Sequence, residues 1–328
     1  MTDEVDPRQR AAELQLEAAL HELHGDVHDP DLPHRIAASA APPRRAAANW
    51  WIVGLAAAGV AVVAVIALQG QDRDANAPAT PTPVPTPAPP AVPTTWIADY
   101  SDNRVLQIDA SGDVLWDLDE VFGVWDVEPL ANGNVLLTEF SVSRVREVSP
   151  SGQTVWSFED LKNPYDADRL PNGNTLIADA FGSRVIEVDA AGTIVWSFAE
   201  SIRPFDVDRL ANGRTLIADV KHDRVIEVDP LGLVVREFTG LPNAHDADRL
   251  PNGNTLVTLR NEGRVVEIDS VYNVVWELAG LHSPSDADRL PNGNTLVAEN
   301  HAVREFNAVG TEVWRHETTW AVEVARRP

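Results

Sequence analysis

The chain has 328 residues, no cysteine, and 50 acidic against 26 basic side chains. It can form no disulfide, thiolate metal centre or cysteine nucleophile. Its excess of acid lies mainly after Trp96, where 39 acids stand against 20 bases, and such a surface repels nucleic acid and anionic lipid.

Residues 1–48 carry one short amphipathic helix, with Leu16, Leu20 and Leu23 at helical spacing and Gly25 as a C-cap. His21, His24 and His28 share a helical face, yet no acid or cysteine completes a metal set, and they read as solvated histidines. The order LEAALHELHGDVHDPDLPHRIAAS, then PPRR, then an apolar run resembles the sigma-factor-binding tails of membrane anti-sigma proteins over about 30 residues. The resemblance implies a cytosolic protein partner such as a sigma factor.

Trp50 to Leu68 is an uncharged run of 19 residues, which at about 1.5 Å per helical residue spans a hydrocarbon layer of roughly 30 Å. The expectation is a single transmembrane helix over 49–69. With 49 residues ahead of it, the run sits too far in for a cleaved signal peptide and reads as a retained signal anchor. Arg35, Arg44 and Arg45 precede it, whereas Arg73 beyond it is flanked by Asp72 and Asp74. That asymmetry puts the N-terminus in the cytoplasm and everything after Gly70 outside. Residues 70–95 contain PATPTPVPTPAPPAVP, which extends as a stiff polyproline stalk.

From 96 to 328 the chain repeats. Asp126, Asp166, Asp206, Asp246 and Asp286 are each 40 residues apart, and so are Asn132, Asn172, Asn212, Asn252 and Asn292. One unit holds four β-branched runs (DADRL, TLIAD, RVIEVD, IVWSF) separated by turns rich in glycine and asparagine. Four strands per period of about 40 residues form a β-propeller blade. The fold class is therefore all-β, a six-bladed propeller of four-stranded 40-residue blades. The N-terminal fragment TTWIADYSDNRVLQIDASGDVLW lacks a first strand, and WAVEVARRP supplies it, closing the ring with a C-terminal strand.

An acid stands five residues before the repeated arginine in five of six blades: Asp99, Glu139, Asp179, Asp219 and Glu299 before Arg104, Arg144, Arg184, Arg224 and Arg304. These are expected to be partly exposed hairpin pairs that set blade register, as are Trp116, Trp156, Trp196, Trp276 and Trp314. Identical aspartates on every inner strand read as shared strand bonding rather than a cation ring, so no metal is expected.

Function belongs where the symmetry fails. The residue preceding each inner strand is Trp125, Tyr165, Phe205, His245, Ser285 or Trp320, and these are expected to ring the channel mouth. The loops after each second strand, expected on the same face, bring Tyr100, Phe140 and Phe181 on one side. On the other they bring Lys221, His222, Arg260, Asn261, Asn300 and His301. The blade at 246 departs most, with Leu259 and Arg260 where other blades have an acid after a small residue, and with Arg236 replacing the preceding outer tryptophan. Aromatic and cationic groups together suit an aryl or anionic small molecule.

HDADRLPNGNTLVTLR followed by RVVEID resembles the bacterial and archaeal arylsulfotransferase-like propellers, over roughly Trp96 to Trp320. The resemblance implies an extracytoplasmic six-bladed propeller without a cofactor. In that family, histidines and an arginine at the mouth bind a sulfuryl group, which one histidine carries from an aryl sulfate to a phenol. His245 and Arg260 stand at matching positions, while Tyr165, Phe205 and Ser285 stand where further histidines are expected. His301 or His222 would then serve by a different geometry. The contrasting reading is a non-catalytic ligand-binding or sensory propeller coupled to a cytosolic partner.

Overall fold

The computed structural model describes residues 93–327. The expected tail (1–48), membrane helix (49–69) and nearly all of the stalk (70–95) lie outside the described residues. Among those described, no helix is long and apolar enough to cross a membrane. Strand begins earlier than expected, because Thr94 and Thr95 already pair with Arg327 and Ile108.

Each repeat folds as its residue pattern dictates. In the third blade, Thr175–Asp179 and Arg184–Val188 are β-branched runs, and the former is buried along its whole length. The turn before them closes at Gly173, whose φ of +87° suits a residue without Cβ. Its N–H donates to Leu170 O at 2.9 Å, and Asn174 N–H donates to Asn172 Oδ1 at 3.0 Å.

The described strands form six four-stranded antiparallel sheets. Blade two runs through Val124–Pro129, Val135–Glu139, Arg144–Val148 and Thr154–Phe158. Blade three opens with Asp166–Arg169, blade four with Pro204–Arg209, blade five with Ala244–Arg249 and blade six with Asp286–Arg289. Blade one is composite, as expected. Its innermost strand, Ala321–Arg327, pairs antiparallel with Thr94–Asp99, so the first and last described strands close the ring.

The repeated phrase D-x-D-R-L joins blade to blade. Its first aspartate accepts the backbone N–H of the next inner strand: Asp166 from Val207 at 3.0 Å, Asp206 from Ala247 at 3.0 Å and Asp246 from Ala287 at 3.1 Å. Its arginine reaches back to the preceding blade, Arg209 to Glu187 at 2.8 Å and Arg289 to Glu267 at 3.1 Å. The same guanidiniums lie over the outer tryptophans, Arg209 over Trp196 at 5.1 Å and Arg289 over Trp276 at 4.3 Å. Each tryptophan in turn donates its indole N–H forward, Trp196 to Pro230 O at 3.1 Å. The tryptophans thus bind neighbouring blades, beyond setting register within one.

Two expectations about the hairpin pairs need correction. First, the acids are not partly exposed: Glu139, Asp179 and Asp219 are 0% exposed and Glu299 is 1%. Each pairs with its arginine and also accepts a backbone N–H from the loop leading into an inner strand, such as Arg203 N–H to Asp219 at 2.9 Å. Second, Arg104 meets Asp102 at 3.9 Å rather than Asp99. Asp99 is taken by ring closure, accepting the N–H groups of Thr319 at 3.0 Å and Trp320 at 3.2 Å.

Candidate functional site

The residues before the inner strands are aimed at the axis by local irregularities. In blades two, four and five the register shifts between Val124 and Asp126, Pro204 and Asp206, and Ala244 and Asp246. Trp125, Phe205 and His245 are the bulged residues, and a bulge bends the strand and turns its extra side chain off the sheet face.

They ring the axis and fill it. Trp125 lies 4.5 Å from the ring of Tyr165, 6.0 Å from Trp320 and 5.9 Å from His245, which belongs to the blade directly across the ring. Tyr165 and Phe205 stack 3.8 Å apart with planes at 8°, and Phe205 meets His245 edge-on at 4.9 Å. Every member of this layer is buried, none more than 5% exposed.

Beside the aromatic layer sits a polar cluster. His245 Nδ1 lies 2.8 Å from Ser285 O, so Nδ1 carries the hydrogen and Nε2 the lone pair. Burial and the adjacent Arg260 hold the imidazole well below its usual pKa, hence neutral. Arg260 opens a short 3-10 turn, Arg260–Glu262, whose end needs Gly263 at φ +61°. A Cβ there would stand 2.5 Å from Leu281 O.

Arg260 is 1% exposed. Its Nη1 donates to Ser283 O at 2.7 Å and to Ser285 Oγ, and its Nη2 to Asn300 Oδ1 at 3.3 Å. All three acceptors are neutral. Among the described residues no carboxylate pairs with it, because Leu259 occupies the position that holds the buried acid in the other blades. Burial pushes its pKa down to about 10, with only the neighbouring Tyr165 acting the other way. The Tyr165 hydroxyl is itself buried with no hydrogen-bond partner, and burial holds its pKa well above the usual value. Trp320 covers the guanidinium at 5.6 Å.

The remaining expected site residues divide. Asn300 is half-buried and joins the cluster. Lys221, His222, Asn261 and His301 are exposed on the rim. Lys221 donates to Ser201 Oγ at 2.7 Å, His222 pairs with Asp219 at 2.7 Å, and His301 turns to Thr319 O at 3.0 Å. The position equivalent to Arg260 is Ala180 in blade three and Val220 in blade four, so Phe181 and Lys221 stand one position beyond it and His222 two. Ser285, which stands where the resemblance expects a histidine, bridges His245 and Arg260. The available signal was its size, the smallest residue at the six mouth positions.

Below the mouth, two tiers of carboxylates face the channel, among them Asp126, Asp166 and Asp206 above Glu128, Asp168 and Asp208. Burial, and then mutual repulsion, raises these pKa values, Asp126 to about 8 and Asp208 to about 6. Among the described residues no three such groups are arranged to hold a metal ion.

Solved structures similar to this one share its architecture. A protein of unknown function from Bacteroides caccae matches with a TM-score of 0.63 at 16% identity, covering 72% of this chain and 99% of its own. A streptogramin B lyase matches at 0.55 and 13% identity, over 68% and 79% of the two chains. The virginiamycin B lyase of Staphylococcus aureus matches at 0.53 and 12%, over 68% and 80%. No protein-family model and no curated protein matches the sequence. At such identities the likeness speaks for the propeller fold alone.

Proposed function

We propose that this propeller binds a small aryl anion, of the aryl sulfate type, at the end of the axis occupied by His245, Arg260, Ser285 and Asn300. The observation that carries the reading is Arg260, a buried cation whose partners are all neutral. A buried charge without a counter-charge is strongly unfavourable, and an oxyanion would supply the missing one through paired N–H contacts. The closed aromatic layer of Trp125, Tyr165, Phe205 and Trp320 would have to part at Trp320, which already covers the guanidinium, to take the aryl group.

Sulfuryl transfer is a second reading, favoured by the tautomer of His245. Its Nε2 lone pair would attack sulfur as the bond to the phenolate breaks, with Arg260 offsetting the charge on the leaving oxygen. A phenol acceptor would then take the group as the nitrogen–sulfur bond breaks, its hydroxyl proton ending on the phenolate released in the first step. On the sequence argument alone, the propeller stands outside the membrane on its stalk, and the tail 1–48 engages a cytosolic partner such as a sigma factor. That arrangement would make ligand capture a sensory event.

Titrating the full chain with a chromogenic aryl sulfate, following tryptophan fluorescence, tests binding. Saturable quenching that weakens roughly 10–100-fold in Arg260→Gln, the loss of about 1.5–3 kcal/mol that one charged hydrogen-bond set represents, supports it. Equal affinity in both proteins would overturn it. Release of the phenol by the native chain and not by His245→Ala separates transfer from binding.

A further inference from the structure

At the opposite end of the ring, where the Asn-Gly turns lie, one blade interface differs from its counterparts. At four of the other five a single arginine reaches a single glutamate, the glutamate is capped by an asparagine, and the arginine lies over a tryptophan; between blades one and two Gln107 and Pro129 stand in the places of glutamate and arginine. Glu187 shows the pattern, with Asn174 Nδ2 at 2.6 Å, Arg209 at 2.8 Å and Trp196 beneath that guanidinium. Glu267 repeats it with Asn254 at 2.7 Å, Arg289 at 3.1 Å and Trp276.

Between blades four and five both supporting residues are arginines. Arg214 replaces the asparagine and Arg236 the tryptophan. Glu227 therefore meets three guanidiniums, Arg249 at 2.6 Å, Arg214 at 3.0 Å and Arg236 at 3.5 Å. The interface is two positive charges richer than its counterparts. Setting Arg209 against its own Glu187, and Asp208 against one of the three, still leaves a guanidinium uncompensated.

A cavity of about 600 Å³ opens here, walled by Arg209, Arg214, Arg236 and Arg249 over Leu250 and Pro251. Arg214 and Arg236 are 42% and 29% exposed, so they can turn toward a guest without leaving solvent contact with their charges. In a chain with a formal net charge of −24, convergent guanidiniums at one interface out of six are a departure from the surrounding electrostatics.

We infer that this cavity is a second anion-binding site, for a small molecule carrying a phosphate group. Guanidinium forks suit the tetrahedral dianion, each giving two parallel N–H donors, and the floor of Leu250 and Pro251 accommodates an organic remainder. The site is independent of Arg260, which lies at the other end of the axis.

Isothermal titration of the full chain in detergent with inorganic phosphate, and separately with citrate, tests it at low ionic strength. The expected result is one saturable phosphate site, bound more tightly than citrate. Arg214→Asn with Arg236→Trp restores the residues that the other interfaces use, and should weaken phosphate binding at least tenfold. Arg236→Gln provides a second variant that leaves the packing open, and should also weaken it. Arg260→Gln should leave it unchanged. No saturable heat, preference for citrate, or affinity lost with Arg260→Gln but kept in the double variant, would overturn the assignment.

Discussion

Arg260 owes its position to neighbours that contribute little chemistry themselves. Gly263 caps its turn, donating N–H to Arg260 O at 3.2 Å from a left-handed conformation. Gly263→Ala must move either its own backbone or Leu281, and should cost about 1–3 kcal/mol, read as a fall of roughly 2–4 °C in Tm per kcal/mol. Ligand affinity should fall with it, since the turn sets the guanidinium. His245 makes a pH-dependent contribution whose sign is fixed by its depressed pKa. The unfolded chain takes up a proton near pH 6.5 while the folded chain does not. Stability from this residue is therefore full above that value and declines as pH falls below it. Relative to His245→Gln, which can still donate to Ser285 O, the native chain should lose up to about 1.4 kcal/mol per pH unit in urea melts below pH 6.5. Parallel pH profiles for the two proteins would show that the imidazole is not held neutral.

The blade is an element that cannot stand alone, and its sequence signature is mostly a set of bonds to other blades. Trp196→Phe keeps the ring beneath Arg209 but removes the donor to Pro230 O, and should cost about 1 kcal/mol in chemical denaturation. The same change at Arg236, the position without a tryptophan, removes no such bond. Much of this level was legible: the period gave strand count, turn chemistry, blade number and the closing strand, because each follows from local pattern. Partner choice was harder to read. Asp99 and Arg104 occupy the same positions as the other hairpin pairs, yet ring closure diverts Asp99 to Thr319 and Trp320. The burial of the hairpin acids was also missed, since a carboxylate that pins a loop by backbone N–H groups looks in sequence like one that pairs across a surface. At the mouth, His245 and Arg260 were found as symmetry breaks. That the aromatic side chains meet and seal the axis depends on distances across the ring, which no one-dimensional pattern carries.

At the scale of the whole molecule, closure concentrates like charge along the axis. Asp126 is pushed up to about 8 and Asp246 to about 7, both above the unfolded carboxylate value. Their contribution to stability is thus present at low pH and is lost as pH rises through those values, opposite in sense to His245. Asp126→Asn keeps an oxygen to accept from Thr138 and Ala167 while removing the charge. It should raise Tm by at least roughly 2–4 °C at pH 8.5, for about 1 kcal/mol or more, with the gain shrinking as pH falls and vanishing only below about pH 4, the unfolded carboxylate value. A variant equally stabilised at both pH values would place the effect in packing rather than charge. Ring closure has one more consequence. Thr94 and Arg327 are register partners on adjacent strands, about 5 Å apart between Cα atoms. A linker of a few residues could join them, and the polypeptide could be cut instead at an outer turn such as Ala190–Thr193. The order of the blades along the chain is therefore interchangeable with where translation begins, and a permuted circle should retain the same interior.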